Sequence, residues 1–378
     1  MTGRFLVSCG EASGDLYAGA LTRELGRLAP NAIVSGLGGP QFARAGGRLV
    51  ADYRGLAVTG LTEAIAKIPR SLTTLRHLVD HARAERPDAL VALDFPDFNF
   101  PLARRVKRLG IPVVYYISPQ LWAWRSGRMK TMREIADRVL VIFPFEEAMY
   151  RKAGVPVEFV GHPLIDLAKT SQSRRDFLEA RALSPAAPTV ALLPGSRPNE
   201  VARILPNLVA AAELIRARVP DVQFVVARAP NLDDRLFEVA GRGRRAMAMV
   251  DGDTDTVLAS ADVAVTASGT ASVQAALHDT PMVIVYRLSP VTYLLGRRLV
   301  RIDTFGMVNL IAGEKIVPEL IQRAFTPEAV AGHVVSMLTD RARAGRIREG
   351  LARVRDRLGG PGASRRAAEA ILKVAQRA

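Results

Sequence analysis

The chain has one cysteine, Cys9, among 378 residues, so no internal disulfide can form. That scarcity suits a reducing compartment such as the cytoplasm. Aromatic residues make up 6% of the chain. This is too few to alternate with basic side chains along a nucleic-acid-binding face, so nucleic acid is not an expected partner. No stretch approaches the roughly 20 apolar residues that cross a bilayer. The opening "MTGRFLVSCGEASGD" has a short apolar run and then a glycine-rich turn, which is not the pattern of a secretory leader. The five histidines lack metal-ligand spacing, so neither a metal site nor a cofactor is expected. Acidic residues are also scarce, with 37 Asp+Glu against 52 Lys+Arg, a formal charge of +15. Such an excess favours an anionic partner: an acidic membrane surface or phosphorylated substrates. Arg-rich genomic composition explains part of it. Residues 340–378 alone hold 11 Lys+Arg and 4 Asp+Glu, so much of the charge rides on C-terminal helices.

Apolar residues are plentiful, at 49%, and the length fits two domains of ordinary size. Short apolar runs alternate with helical segments. In the first half the strands are "RFLVSCG", "IVSGLGG", "PDALVALDF", "IPVVYYIS", "DRVLVIFPF" and "VEFVGHP". Helices are predicted over Asp15–Leu28, Pro101–Leu109 and Arg128–Ile135. After a looser stretch, 168–188, the alternation resumes with "TVALLPGS", a helix Glu200–Arg218, "VQFVVAR", "ADVAVTAS" and "PMVIVYR". This pattern predicts two doubly wound α/β units in tandem, with ligands at the carboxyl ends of the strands and in a cleft between the domains. The predicted boundaries are 1–167 and 168–359. A last helix, 360–378, follows "GGPGAS", with Ser364 as its N-cap, and packs back on the first domain.

Two turns in the second half join a strand directly to a helix. Ser268, Gly269 and Thr270 form one of them, and small residues at a helix N-terminus let a phosphate reach the backbone N–H groups. A capped turn that binds nothing has the same sequence, and the two readings stand level. "LLPGSRPNEV" repeats the arrangement with Ser196 and Arg197. A cation there opposes the helix dipole, which favours an anion that satisfies both. Two such turns suggest a diphosphate.

In the first half, "SCGEASGDLYAG" is not a dinucleotide fingerprint, and no acid ends the second strand. Its acids, Glu11 and Asp15, suit a hydroxyl-bearing ligand, although the helix dipole also favours Asp15. "ALDFPDFNFP" places Asp94 and Asp97 at a strand end with Asn99 close by. Asn99 reads well as a cap for a helix starting near Pro101, Asp97 less well and Asp94 poorly. Asp94 is therefore the candidate general base. The run Asp251, Asp253, Asp255 reads as acids at a helix start rather than a metal site. Trp122 and Trp124, in "ISPQLWAWRSGR", stack on a sugar, line an acyl groove or plug a domain interface.

Two stretches look membrane-directed. "KIPRSLTTLRHLV" (67–79) sets Ile68, Leu72, Leu75 and Val79 on one helical face, with Lys67, Arg70 and Arg76 elsewhere. "VTYLLGRRLVRI" (291–302) combines bulky apolar residues with Arg297, Arg298 and Arg301. Either one alone reads more readily as a core-facing helix. Together with the charge they make peripheral attachment to an anionic surface the expectation.

The segments "GEASGD", "GLGGP", "VTGLTEAI", "DFPDFN", "YYISPQLWAWR", "FPFEEAMY", "FVGHPLID", "LLPGSR", "ASGTAS", "MVNLIAG" and "VPELIQ" occur in this order. In this the chain resembles the lipid-A-disaccharide synthases. The resemblance implies a B-type glycosyltransferase fold: an N-terminal Rossmann-like acceptor domain, a C-terminal Rossmann-like donor domain and a cleft between them. It implies metal-independent, inverting transfer from UDP-2,3-diacylglucosamine to the 6-hydroxyl of 2,3-diacylglucosamine-1-phosphate. The products are UDP and the β-1,6 disaccharide 1-phosphate of lipid A. Asp94 is then the base. Glu11, Ser13, Asp15, Asp97 and Asn99 lie on the acceptor side. Ser196, Arg197, Ser268, Gly269, Thr270, Gln274, Asn309 and Glu319 serve the UDP-sugar. Gln274 departs from the family, which usually has an acidic residue there to hold the donor ribose. A glutamine keeps an acceptor but loses the charge-assisted bond. The expected place is the cytoplasmic face of the bacterial inner membrane, and a homodimer is compatible with everything above.

Overall fold

A computed structural model of the chain describes residues 3–54, 56, 61–119, 128–230, 232–241, 247–288 and 304–376, with backbone alone over 61–67. The tryptophan segment 120–127 and the basic stretch 291–302 lie outside the described residues. The chain divides into two compact units, Met1–Asp166 with Leu358–Ala378, and Leu167–Arg357.

In the first unit seven parallel strands lie in the order β3-β2-β1-β4-β5-β6-β7. They are β1 (Arg4–Ser8), β2 (Ile33–Gly38), β3 (Arg48–Asp52), β4 (Ala89–Leu93), β5 (Val113–Tyr116), β6 (Arg138–Val141) and β7 (Val157–Phe159). The central strands carry apolar residues on both faces because helices cover both faces, so β4 and β5 are buried along their whole length. Strand order reverses between β1 and β4, whose registers pair Phe5 with Ala89 and Ser8 with Ala92. The carboxyl ends of those two strands form the switch point, where such sheets receive ligands.

The second unit repeats the plan. Its strands are β8 (Thr189–Leu193), β9 (Gln223–Arg228), β10 (Ala248–Asp251), β11 (Val263–Ala267), β12 (Met282–Tyr286) and β13 (Glu319–Ile321), in the order β10-β9-β8-β11-β12-β13. The switch point falls between β8 and β11, where Thr266 pairs with Leu193. The two glycine turns of the sequence leave these same two strand ends.

The sequence reading misses β3, β10 and β13. Each is short, partly exposed and close to an edge of its sheet, so none shows the continuous apolar run of a central strand. One helix is misplaced. The structure has Pro96–Lys107 where a start near Pro101 was expected, and Pro101 lies inside it. The last helix, Ala363–Ala375, packs on the helix Ala12–Leu28 and on β4 and β5, within the first unit as expected. Its cap is not Ser364, which lies in its first turn. The Asp166 carboxylate accepts from Gly362 N at 3.0 and 2.8 Å and from Ala363 N at 3.2 Å, setting a negative charge at the helix N-terminus.

Candidate active site

At the first switch point the backbone is strained. Asp94 and Phe95 follow β4 with φ of 42° and 48°, a left-handed pair in which neither residue is glycine. Such positions cost about 1–3 kcal/mol each and persist only where the surroundings hold them. Here the hold is visible. The Asp94 N–H donates to Tyr116 O at 3.3 Å and Ile117 O at 3.1 Å. The Asp94 carbonyl accepts from Tyr115 Oη at 2.6 Å and from Asn99 Nδ2 at 2.8 Å. Gly10 completes the support, because a Cβ there would lie 2.1 Å from the Phe95 ring. The half-buried Asp94 side chain thus stands on a braced strand end.

Asn99 is not a helix cap. It is fully buried inside the helix Pro96–Lys107. Its Oδ1 accepts from Ser8 Oγ at 2.6 Å, and its Nδ2 also donates to Leu93 O at 3.1 Å and Ser8 O at 3.3 Å. It ties the end of β1 to the end of β4. Asp97 is exposed and pairs with Arg128 at 2.6 Å.

Glu11 precedes the helix Ala12–Leu28 in extended conformation and accepts from Ser13 Oγ at 3.0 Å. Asp15, expected to face the acceptor, is turned to the backbone instead. It is buried, and its two oxygens accept from Gly39 N, Phe42 N and Gln41 N at 2.7, 3.0 and 2.9 Å, capping the short helix Pro40–Arg44. Burial, then the charges of Asp15 and Glu11, push the Cys9 thiol well above its ordinary value. A protonated thiol is a poor nucleophile.

Glu146 and His162, buried and titratable, both escaped the sequence reading. Glu146, at the start of the helix Pro144–Lys152, is pushed up to about 8, chiefly by burial. It accepts from Ser118 Oγ at 3.0 Å and from Phe143 N at 3.3 Å. His162 is pushed down to about 3 by burial and accepts from Leu164 N through Nδ1 at 3.2 Å. Both belong to segments, "FPFEEAMY" and "FVGHPLID", that carry the family resemblance. Nothing in either segment announces burial, which depends on what the fold lays over them.

At the second switch point Ser196 and Arg197 follow β8, and the helix Pro198–Arg216 starts after them. Arg197 does not wait there for an outside anion to relieve the helix dipole. Glu200, one turn on, takes Arg197 Nη1 at 3.2 Å with one oxygen and Ser196 N at 3.2 Å with the other. An acid three residues into a helix is a readable signal, and it was missed.

The turn after β11 has Gly269 at φ 150°, ψ −158°, a region closed to residues with a Cβ. A Cβ there would meet nothing within 4 Å, so conformation rather than crowding demands the glycine. Ser268 Oγ donates to Phe305 O at 3.2 Å. That loop is held in turn by Glu319, which accepts from Phe305 N at 2.8 Å and from Gly306 N at 3.0 Å. Asn309, buried, donates to Glu319 Oε1 at 2.7 Å and accepts from Ile316 N and Val317 N. Asn309 and Glu319 therefore brace the Ser268 turn through Phe305.

Gln274 donates to Asp255 Oδ2 at 3.1 Å, and His278 Nε2 lies 2.9 Å from Asp255 Oδ1. Asp255 thus binds side chains of the neighbouring helix rather than capping its own. Asp253 does cap, accepting from Thr256 N at 3.3 Å, and Asp251 pairs with Arg228.

Two Rossmann-like units in tandem, with paired glycine turns at the second switch point, define a protein with the fold of the B-type glycosyltransferases. Solved structures share the fold. The UDP-GlcNAc 2-epimerase from Neisseria meningitidis, bound to UDP-GlcNAc, matches with a TM-score of 0.70 at 12% identity over 99% of this chain and 100% of its own. The glycosyltransferase of kitacinnamycin matches with a TM-score of 0.66 at 19% identity over 99% of each chain. Sequence comparison is more specific. The sequence model for lipid-A-disaccharide synthetase matches residues 5–374. The lipid-A-disaccharide synthase of Syntrophus aciditrophicus (strain SB) is 43% identical over 97% of this chain and 96% of its own length. Those of Geobacter metallireducens and Myxococcus xanthus are 43% and 42% identical, each over 98% of this chain and 97% of their own. The chain belongs to the lipid-A-disaccharide synthetase family and is a UDP-sugar glycosyltransferase.

Proposed function

We propose that the protein forms the lipid A disaccharide by transferring 2,3-diacylglucosamine from UDP to the 6-hydroxyl of 2,3-diacylglucosamine-1-phosphate, with inversion. The observation that carries the residue assignments is the pair of glycine turns, 194–197 and 268–270, at the ends of the two strands that flank the second switch point. In this reading the second unit, Leu167–Arg357, takes the donor. The helix start at Thr270 and the Arg197 guanidinium stabilise the departing diphosphate, without a metal ion. Arg197 exchanges its Glu200 partner for phosphate oxygens. Ser196 and Ser268 add donors, and Asn309 and Glu319 keep the second turn in shape. Gln274, its amide N–H₂ engaged by Asp255, presents its carbonyl to a ribose hydroxyl.

The first unit takes the acceptor. Asp94 removes the proton from the 6-hydroxyl as that oxygen attacks the anomeric carbon. Glu11 and Ser13 offer polar atoms to the sugar, and Asp97 a further carboxylate. Asn99 and Asp15 serve from behind by holding the strand ends and the loop that follows β2.

Attachment to an anionic membrane is part of the reading. No helix among the described residues is long and apolar enough to cross a membrane. In the helix Leu61–Glu85, Leu75 and Val79 face the core, whereas Ile68 and Leu72 are about half exposed, at 50% and 46%. The stripe read from the sequence is thus divided, and its exposed half is the part that can touch lipid.

The test is UDP release from UDP-2,3-diacylglucosamine in detergent micelles with EDTA, with and without the acceptor. The expected result is acceptor-dependent release that survives EDTA and collapses in Asp94→Ala. Wild-type consumption of a non-acylated UDP-sugar, with no acceptor-dependent release, would point to an epimerase or another transferase.

A further inference from the structure

Behind the strand end that carries Asp94 lies an acid to which the reaction assigns no task. Glu146 is 1% exposed. A glutamate at the third position of a helix ordinarily sits at the surface and reaches back to a backbone N–H, which needs one oxygen. Glu146 does this with Oε2, on Phe143 N. Its second oxygen, Oε1, accepts from Ser118 Oγ, two residues beyond the end of β5. The residue between them is Ile117, in left-handed conformation at φ 60°, whose carbonyl receives the Asp94 N–H. A continuous path therefore runs from Glu146 to the Ser118 hydroxyl, along the chain to the Ile117 carbonyl, and so to the Asp94 amide. Ile117, Asp94 and Phe95 are three strained residues at adjoining strand ends, and strain of this kind lasts only where neighbours enforce it. The buried Tyr150 hydroxyl lies beside Ser118 without a well-formed hydrogen bond, and the Ser118 hydroxyl lies 3.0 Å from Glu146 Oε1 and 3.3 Å from Pro119 O.

We propose that Glu146 is a positioning residue for the transfer reaction: through Ser118 it holds the left-handed strand end that aims Asp94 at the acceptor hydroxyl. The proposal rests on the reading of Asp94 as the base. Helix capping alone does not require burial of an acid, since an exposed residue would serve, and burying a carboxyl costs its hydration. Burial keeps Glu146 largely protonated at neutral pH. A neutral acid can donate to Ser118 Oγ while Ser118 donates to Pro119 O, 3.3 Å away. Glutamine can make the same pair of bonds.

The test is steady-state kinetics of Glu146→Ala, Ser118→Ala, the double variant and Glu146→Gln, beside Asp94→Asn. Loss of aim lowers kcat and leaves ground-state binding alone. Glu146→Ala and Ser118→Ala should each lower kcat about 10-fold, with KM for donor and acceptor within about two-fold. The double variant should be no slower than either single one, because both cut the same path. Glu146→Gln should recover most of the lost kcat. If Glu146→Ala does not fold, Ser118→Ala and Glu146→Gln carry the test. Wild-type kcat in Ser118→Ala, losses confined to KM, additive losses in the double variant, or Glu146→Gln as slow as Ser118→Ala would each overturn the proposal. Collapse of Asp94→Asn alone rejects the positioning role and spares the base. Full activity of Asp94→Asn rejects the base and this role with it.

Discussion

Asn99 shows how much a single amide can hold. One side chain accepts from Ser8 and donates to three backbone carbonyls, so the ends of β1 and β4 share one fastening. Removing it takes the acceptor from the buried Ser8 hydroxyl and a donor from the Ser8 and Leu93 carbonyls, while the Asp94 carbonyl keeps Tyr115 Oη, and each unsatisfied buried group costs about 1–3 kcal/mol. Asn99→Ala should therefore destabilise the protein by about 3 kcal/mol in urea unfolding and should also lower kcat. A loss under about 1 kcal/mol would mean that water replaces the amide. At this scale the sequence pointed to the right places but often to the wrong partners. Asn99 and Asp15 lie where their motifs put them, yet both turn inward to backbone groups brought close by other strands. Arg197 has its answering charge in Glu200, three residues away and within reach of a sequence argument. Glu319 meets Phe305 and Gly306 across a loop, which no local pattern foretells.

The helix Pro144–Lys152 and the loop before the helix Leu164–Leu167 bury groups of opposite pH behaviour. Glu146 has an ordinary value of 4.5 and titrates near 8 in the fold, so between these pH values the folded state keeps a proton that the unfolded chain has lost. Stability from this group is full below pH 4.5 and is lost as pH rises through 8. His162 moves from 6.5 to about 3, so its contribution is full above pH 6.5 and is lost as pH falls toward 3. The two oppose each other between pH 4.5 and 6.5, and between 6.5 and 8 only the Glu146 slope of this pair remains. The urea midpoint should fall across that window by the equivalent of roughly 1–2 kcal/mol, and Glu146→Gln should flatten it. A slope unchanged in Glu146→Gln would place the titration elsewhere. Elements also differ in how plainly they were written. β4, β5, β8 and β11 announce themselves because both of their faces are covered, whereas β3, β10 and β13 need only one apolar face and pair where the sheet thins out. The helix Pro96–Lys107 began five residues early because Pro96 suits a first helical turn, a position that dispenses with its missing N–H.

For the molecule as a whole, the proposed membrane attachment draws on charge and on the exposed apolar pair of the helix Leu61–Glu85 together. Binding to vesicles containing anionic lipid should weaken as salt rises, because screening reduces the attraction of a chain with a formal charge of +15. Ile68→Ser with Leu72→Ser should lower co-sedimentation with such vesicles several-fold while the melting temperature stays within about 2 °C, because neither side chain belongs to the core. Equal binding by the double variant would move the contact to another face. The sequence by itself determined the class, the doubling of the α/β pattern and the glycine turns at the strand ends, since burial on two faces, helix starts and glycine conformations leave marks within a few residues. Only the tertiary structure decided which strands stand at each switch point, that Asp94 rests on a left-handed bend held by Tyr115 and Asn99, and that Glu146 is buried behind it. Those outcomes depend on contacts between segments tens of residues apart, and local sequence carries the preference of each residue but not the identity of its distant neighbour.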